Sequence, residues 1–379
     1  MEKPTLAIDL GTSFLKGVAF LLEKRGLRIL NFVKVSYNST LVDDIEKKLK
    51  ELILNLKGRY NFNFAVIGSG DGIGKGKIKK SVFLRKSSSN PITEGELKEI
   101  IKNVQKESLS EVEKESNNNF FLVSAKIKNL TIDTRQTFSP VGLTGRKISF
   151  EILNFYLPLK IYQSLKKILS SFNIGKVSFE YIPGILPDFL LDYTGKDDSL
   201  LGYIGSKIKT FIDIGGKNTL FSILEKGQIE KVIEVPLGGD YFIEKIVEEL
   251  EIKPAQLFLK SGKDIIEFKI KKSSISLNHQ QKMIQDSLKE WSKLISGKLI
   301  SVLENYRQKK TPLEIYLFGG GSSLLSLEGF KRELARKSLH CIIKRVSPLN
   351  LKGIFNFNLN DSQATIPLLI CKTLLKSKI

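Results

Sequence analysis

The most constraining feature of this 379-residue sequence is a strand-turn-strand segment that occurs twice. The first copy, Thr5-Leu-Ala-Ile-Asp9-Leu-Gly11-Thr12-Ser13-Phe-Leu-Lys16-Gly17-Val-Ala-Phe20, reads as an apolar strand, a tight polar turn and a second strand. The second copy, Thr210-Phe-Ile-Asp213-Ile-Gly215-Gly216-Lys217-Asn218-Thr219-Leu-Phe-Ser-Ile-Leu224, follows roughly 200 residues later. Each strand closes on an aspartate, and a glycine turn follows it. An internal duplication of this kind predicts two similar halves facing each other across a cleft. Glycine lets backbone N–H groups approach phosphate oxygens closely. Two facing carboxylates beside a polyphosphate repel it unless a cation lies between, so the pair predicts a hydrated Mg²⁺ held by Asp9 and Asp213 through water. Lys16, further along the first hairpin, is placed to neutralise a phosphate charge. A third glycine turn, Gly319-Gly320-Gly321-Ser322, ends the apolar run Ile315 to Phe318.

Between the copies, Asn90-Pro91 precedes Thr93-Glu94-Gly95-Glu96, a capping-box spacing that predicts a helix of about twenty residues. Two strand-like runs follow, Phe120 to Asp133 and Lys147 to Leu157, joined by Ser139-Pro140-Val-Gly142-Leu-Thr144-Gly145. This helix-strand-strand packet reads as a small subdomain inserted at 82–157. A helix near Leu159 to Ser171 and a strand near Val177 to Tyr181 then resume the first half. After the second hairpin come a strand at Val232 to Val235, the turn Pro236-Leu-Gly238-Gly239-Asp240, and an amphipathic helix from Tyr241 to Leu250 with Ile243, Ile246, Val247 and Leu250 inward. Helical patterns also cover 279–308 and Leu324 to Ala335.

A composition of 41% hydrophobic and 26% charged residues is that of a globular chain with a sizeable core. No run of about 18 apolar residues predicts a membrane-spanning helix, and the N-terminus lacks the pattern of a signal peptide, so a cytoplasmic location is expected. Cys341 and Cys371 stand apart in apolar contexts and are expected to be buried. The two histidines, His279 and His340, suggest neither a metal cluster nor a hydrolytic triad. The formal charge of +20 is compatible with nucleic acid, anionic lipid or an acidic protein, and equally with a diffuse lysine surplus that only solvates the surface. The glycine-rich Gly68 to Lys77 fails the register of a phosphate loop and reads as a hinge into the inserted subdomain.

Taken together, these residues resemble the actin-like ATPase superfamily. Asp9 to Lys16 is similar to its first phosphate motif, Asp213 to Thr219 to its second, Leu237 to Asp240 to its second connecting segment and Leu317 to Ser322 to its adenosine motif. Within the superfamily, Pro140 to Gly145, the Gly68-Ser-Gly70 strand end with Ile92-Thr93, and Gln363 to Ile370 resemble FtsA-type cell-division proteins, with PilM-type pilus-assembly proteins next. The resemblance implies an α/β, actin-like (ribonuclease H-like) duplicated fold. Its first lobe is expected at 1–81 and 158–200, and its second at 201–379 with an outer subdomain near 250–310. It implies ATP and Mg²⁺ as cofactors, contacted by Asp9, Gly11, Thr12, Ser13, Lys16, Asp213, Gly215, Gly216, Lys217, Asn218, Thr219, Gly238, Gly239, Asp240, Lys260, Gly319, Gly320, Gly321 and Ser322. ATP is expected to bridge the lobes and favour a closed cleft.

By the same resemblance, partners are the FtsZ tail near 250–310, other division proteins at 82–157, and further copies in a filament. Specific nucleic-acid binding is not expected. The family pattern Asp-Ile-Gly-Gly-Gly-Thr-x-Asp is altered at Lys217, Asn218 and Leu220, so hydrolysis is expected to be slow or absent, with Glu180 the candidate for orienting water. The family's amphipathic membrane helix is not matched in the residues after the last core helix, so membrane contact is expected to come through a partner or through lysines. A PilM-like adaptor and a small-molecule kinase remain the alternative readings.

Overall fold

The computed structural model describes residues 3–37, 42–58, 60–193, 208–225, 227–253, 257–261, 266–270, 277–304, 313–356 and 362–376. In β1 (Thr5–Leu10) every residue is buried, as a strand covered on both faces requires. It forms an antiparallel meander with β2 (Phe14–Glu23) and β3 (Gly26–Ser36). Helix α1 (Val42–Lys57) buries Ile45, Leu49, Leu52, Ile53 and Leu56 at helical spacing and packs on β2 and β3. The chain returns as β4 (Phe64–Ser69), parallel to β1.

The inserted packet comprises β5 (Lys75–Leu84), α2 (Glu94–Ser116), β6 (Phe120–Ile132), β7 (Arg135–Gln136) and β8 (Lys147–Pro158), with strand order β5-β8-β6-β7. Thr93 caps α2 by accepting the N–H of Glu96 at 3.1 Å. Buried Arg85 donates to Glu96 and to the carbonyls of Asn90, Pro91 and Gly145, which ties the Pro140 to Gly145 turn to the start of α2. Val141 and Leu143 on that turn, and Phe138 just before it, stay exposed.

Helix α3 (Leu159–Ser171) leads to β9 (Lys176–Tyr181), parallel to β4, and to α4 (Ile182–Tyr193). Pro183 lies in the first turn of α4, where the N–H it lacks has no intrahelical acceptor, and Pro187 is accommodated inside the helix.

The second lobe contains β10 (Ile208–Ile214), β11 (Thr219–Glu225), β12 (Gln228–Val235), α5 (Gly239–Glu249), the pair β13 (Leu257–Ser261) and β14 (Ile266–Ile270), α6 (Leu277–Leu303), β15 (Leu313–Phe318), α7 (Leu327–Arg336) and β16 (Cys341–Arg345). Its sheet order, β12-β11-β10-β15-β16, matches β3-β2-β1-β4-β9 of the first lobe. The directions match as well, with two antiparallel and two parallel pairings in each lobe. The duplicated hairpins are thus the central strands of two equivalent sheets. In α5 the inward stripe is centred on Phe242, Ile246 and Leu250, with Ile243 and Val247 half-buried.

Two expectations are corrected. The chain does not stay in the second lobe to its end. Strand β17 (Ile354–Phe355) pairs with β3, and α8 (Thr365–Lys376) packs on β1, β2 and β4. Ile366, Leu368, Leu369 and Ile370 join the first lobe's core, and Ile370 fills the space left by the missing side chain of Gly68. Cys371 is buried there, but Cys341 on the edge strand β16 is only partly buried. No helix among the described residues is long and apolar enough to cross a membrane.

Candidate functional site

The two hairpin turns meet between the lobes. Asp9, the penultimate residue of β1, lies directly opposite Lys16 on β2, and their side chains form an ion pair at 2.8 Å with both groups largely buried. Asp213 occupies the equivalent place on β10, but its cross-strand partner is Leu220. The two hairpins share the acid, and only the first places a cation across the strand from it. Burial, and secondarily the charge of Asp9, push the Asp213 carboxyl up to about 6, against the lowering influence of Lys16. The three groups therefore share one electrostatic site. Asp9 and Asp213 carry more negative charge than Lys16 offsets, and this donor set fits a hydrated divalent cation.

Contacts across the lobes are close. The Ser13 hydroxyl donates to Asp240 Oδ2 at 2.5 Å, and the Lys217 N–H donates to Thr12 Oγ1 at 3.3 Å. A Cβ on Gly216 would stand 1.9 Å from Ser13 Oγ, and one on Gly238 would stand 2.1 Å from the Gly216 carbonyl oxygen, so neither position accepts a side chain. The N–H groups of Gly239 and Asp240 donate to the carbonyls of Gly215 and Gly216. Thr219 donates to the Leu237 carbonyl, and Trp291 of α6 donates to that of Gly238. Gly319 has φ +79° and lies against Asp213, where a side chain would meet Oδ1. Gly320 faces Gln363, Gly321 packs on Ile214, and Ser322 bonds the Gly319 carbonyl. Of the sequence-predicted residues, Asp9, Gly11, Thr12, Ser13, Lys16, Asp213, Gly215 to Thr219, Gly238 to Asp240 and Gly319 to Ser322 form one assembly.

Two do not join it. The Glu180 carboxylate is engaged by Lys126 of the inserted subdomain at 3.0 Å, which leaves it a structural partner already in place. Lys260 lies on β13 opposite Glu267, and its side chain is outside the described residues.

Sequence reasoning missed a second polar group at the same junction. Glu234 on β12, directly opposite Leu220, accepts a hydrogen bond from Asn218 and pairs with Lys75 at 3.0 Å. Gly72 sits against Thr12 and Asn218. Asp71 accepts from the Gly76 N–H and the Tyr181 hydroxyl, and burial raises its carboxyl to about 6. The segment read as a hinge thus roofs the hairpin tips. Its glycines were the visible signal, read for flexibility rather than close approach.

No protein-family model matches the chain, and no curated protein matches it. Among solved structures it is similar to the ethanolamine utilization protein EutJ from Carboxydothermus hydrogenoformans, at 11% identity over 98% of this chain and 90% of that one, with a TM-score of 0.47. It is also similar to a chain of the PilM-PilN type IV pilus biogenesis complex, at 16% identity over 98% of both chains, with a TM-score of 0.65. The chain has the actin-like ATPase fold. In that fold, the observed assembly lies where the two equivalent sheets of an actin-like molecule face each other, with the inserted packet at one side of the junction.

Proposed function

We propose that this actin-like protein binds ATP with Mg²⁺ between its lobes and acts as a cytoplasmic adaptor in a membrane-associated assembly. The observation that carries this reading is the convergence of Asp9, Lys16 and Asp213 with the glycine turns at 215–216, 238–239 and 319–321. Bound Mg²⁺ would supply the charge that lets a polyphosphate approach the two aspartates. The chain's own residues then have distinct roles. Gly11 to Ser13 and Gly215 to Asn218 present backbone and hydroxyl donors, and the turn at 319–322 lies beside Asp213 for the nucleoside end. Hydrolysis is slow or absent because Leu220 brings no polar group opposite Asp213 and Glu180 is held by Lys126.

Calorimetry with ATP and Mg²⁺ should show binding, and steady-state phosphate release should stay far below the ~10 s⁻¹ of a median enzyme. Folded protein that binds nothing at millimolar nucleotide would defeat the reading, and a rapid turnover abolished by Asp213→Ala would defeat its second half.

A PilM-type adaptor role is supported by the similarity along nearly the whole of both chains. The partner is then a protein that stands to this chain as PilN stands to PilM in the PilM-PilN complex. The FtsA-type reading, with FtsZ as partner and filament formation, is supported by the Pro140 to Gly145 turn, whose Val141 and Leu143 are exposed for a partner. Pull-down with a PilN-type peptide against the FtsZ tail separates the two.

A further inference from the structure

Two donors that a phosphate would use at the hairpin tips are already engaged, and one of their acceptors is an anion. Ser13 and Asp240 belong to opposite lobes, yet the Ser13 hydroxyl donates to Asp240 Oδ2 at 2.5 Å. Asp240 is fixed from its backbone as well, since its N–H donates to the Gly216 carbonyl at 2.8 Å. Its Oδ2 lies 3.0 Å from the point where a Cβ on Gly216 would stand, so the carboxylate occupies the narrow space between the two turns. The Lys217 N–H, a second donor at the tips, is turned to Thr12.

The geometry points to Asp240 as an internal plug, a carboxylate that stands in for phosphate at Ser13 and holds the lobes together until nucleotide displaces it. This rests on the cradle reading above and specifies how that cradle is controlled. Asp240 also lies in the first turn of α5, where a carboxylate is favoured by the helix dipole. That accounts for an acid at this position but not for its bond to the other lobe. A hydroxyl-to-carboxylate bond is of the stronger, charge-assisted kind, and phosphate and carboxylate cannot both accept the one Ser13 proton. Apparent nucleotide affinity is therefore reduced in proportion to the plugged population. Nucleotide acts as a wedge that exchanges one anion for another, rather than as the first contact between open lobes.

The test compares the full-length chain with Asp240→Asn and Ser13→Ala. Calorimetry with Mg-ATP measures affinity, and amide hydrogen exchange without nucleotide follows residues 11–17 and 213–219. Asp240→Asn should bind roughly tenfold tighter or more, the factor expected if about nine molecules in ten are plugged, and exchange at both turns should rise. Ser13→Ala frees Asp240 but removes a phosphate donor, so it should loosen the turns without tightening binding. A merely structural role would move both variants the same way. Binding by Asp240→Asn that is equal to or weaker than wild type overturns the plug and leaves the cradle standing, as does unchanged exchange at the turns. If none of the three proteins binds at millimolar ATP, cradle and plug fail together.

Discussion

Asp213 is where the duplication is least symmetrical. Asp9 has Lys16 across the strand, whereas Asp213 has Leu220, and burial, with the charge of Asp9 added, raises the Asp213 carboxyl from 3.8 to about 6 against the lowering influence of Lys16. Because the folded state holds this proton more tightly than the unfolded state, the unfavourable contribution of the ionised group is absent below about pH 4. It grows as pH rises through 6 and is fully present above. Asp213→Asn should accordingly stabilise the nucleotide-free protein at pH 7.5 by on the order of 1–2 kcal/mol. The gain should vanish near pH 4, while Mg-nucleotide binding is lost. Urea denaturation at the two pH values checks this, and a variant destabilised at both would show that Asp213 is held by favourable contacts instead. A gain of this kind would be the trade expected of a site built for a ligand's charge.

At the scale of elements, β12 is the edge of the second lobe's sheet, and an uncovered edge invites unwanted pairing. The inserted subdomain covers it with side chains. Lys128 donates to the Ile229 carbonyl at 2.9 Å, and burial pulls its amine down to about 8. Asn129 and Gln228 exchange hydrogen bonds at 2.7 and 2.9 Å, and Lys80 pairs with Glu230. At the other end of the strand, Glu234 accepts from Asn218 in the turn of the second hairpin. Asn129→Ala should cost about 1 kcal/mol and raise amide exchange across 228–235, with β16 unaffected. Unchanged exchange there would mean the clamp is held elsewhere. This clamp marks where sequence reasoning stopped. Hairpins, the α2 cap and the glycine turns were legible because each is a local pattern of period or spacing. The pairing of Glu234 with Lys75, the diversion of Glu180 to Lys126 and the return of α8 to the first sheet join residues far apart in the chain. An apolar helix such as α8 carries no stripe to announce which sheet it will cover.

For the molecule as a whole, the +20 charge is spread over lysines, many of them paired, as Lys77 and Lys79 are with Glu111. Any affinity for membrane should therefore be electrostatic, present with vesicles containing anionic lipid at low salt and lost as salt screens the charges. Sedimentation with neutral vesicles at high salt should leave the protein in solution, and a pellet there would point to an apolar anchor. The return of β17 and α8 to the first sheet also sets an order of assembly. Residues 208–345 carry every strand of the second lobe's sheet in one stretch, whereas the first lobe's sheet and the helices on it draw on 5–193 and again on 354–376, with a core that also takes in Phe211, Tyr316 and Phe318 of the second lobe. A ribosome delivers the first three strands early, but they cannot complete their core until the last helix has emerged. The lobe synthesised first is the lobe finished last, and in the interval the face of its sheet that α8 covers stays open.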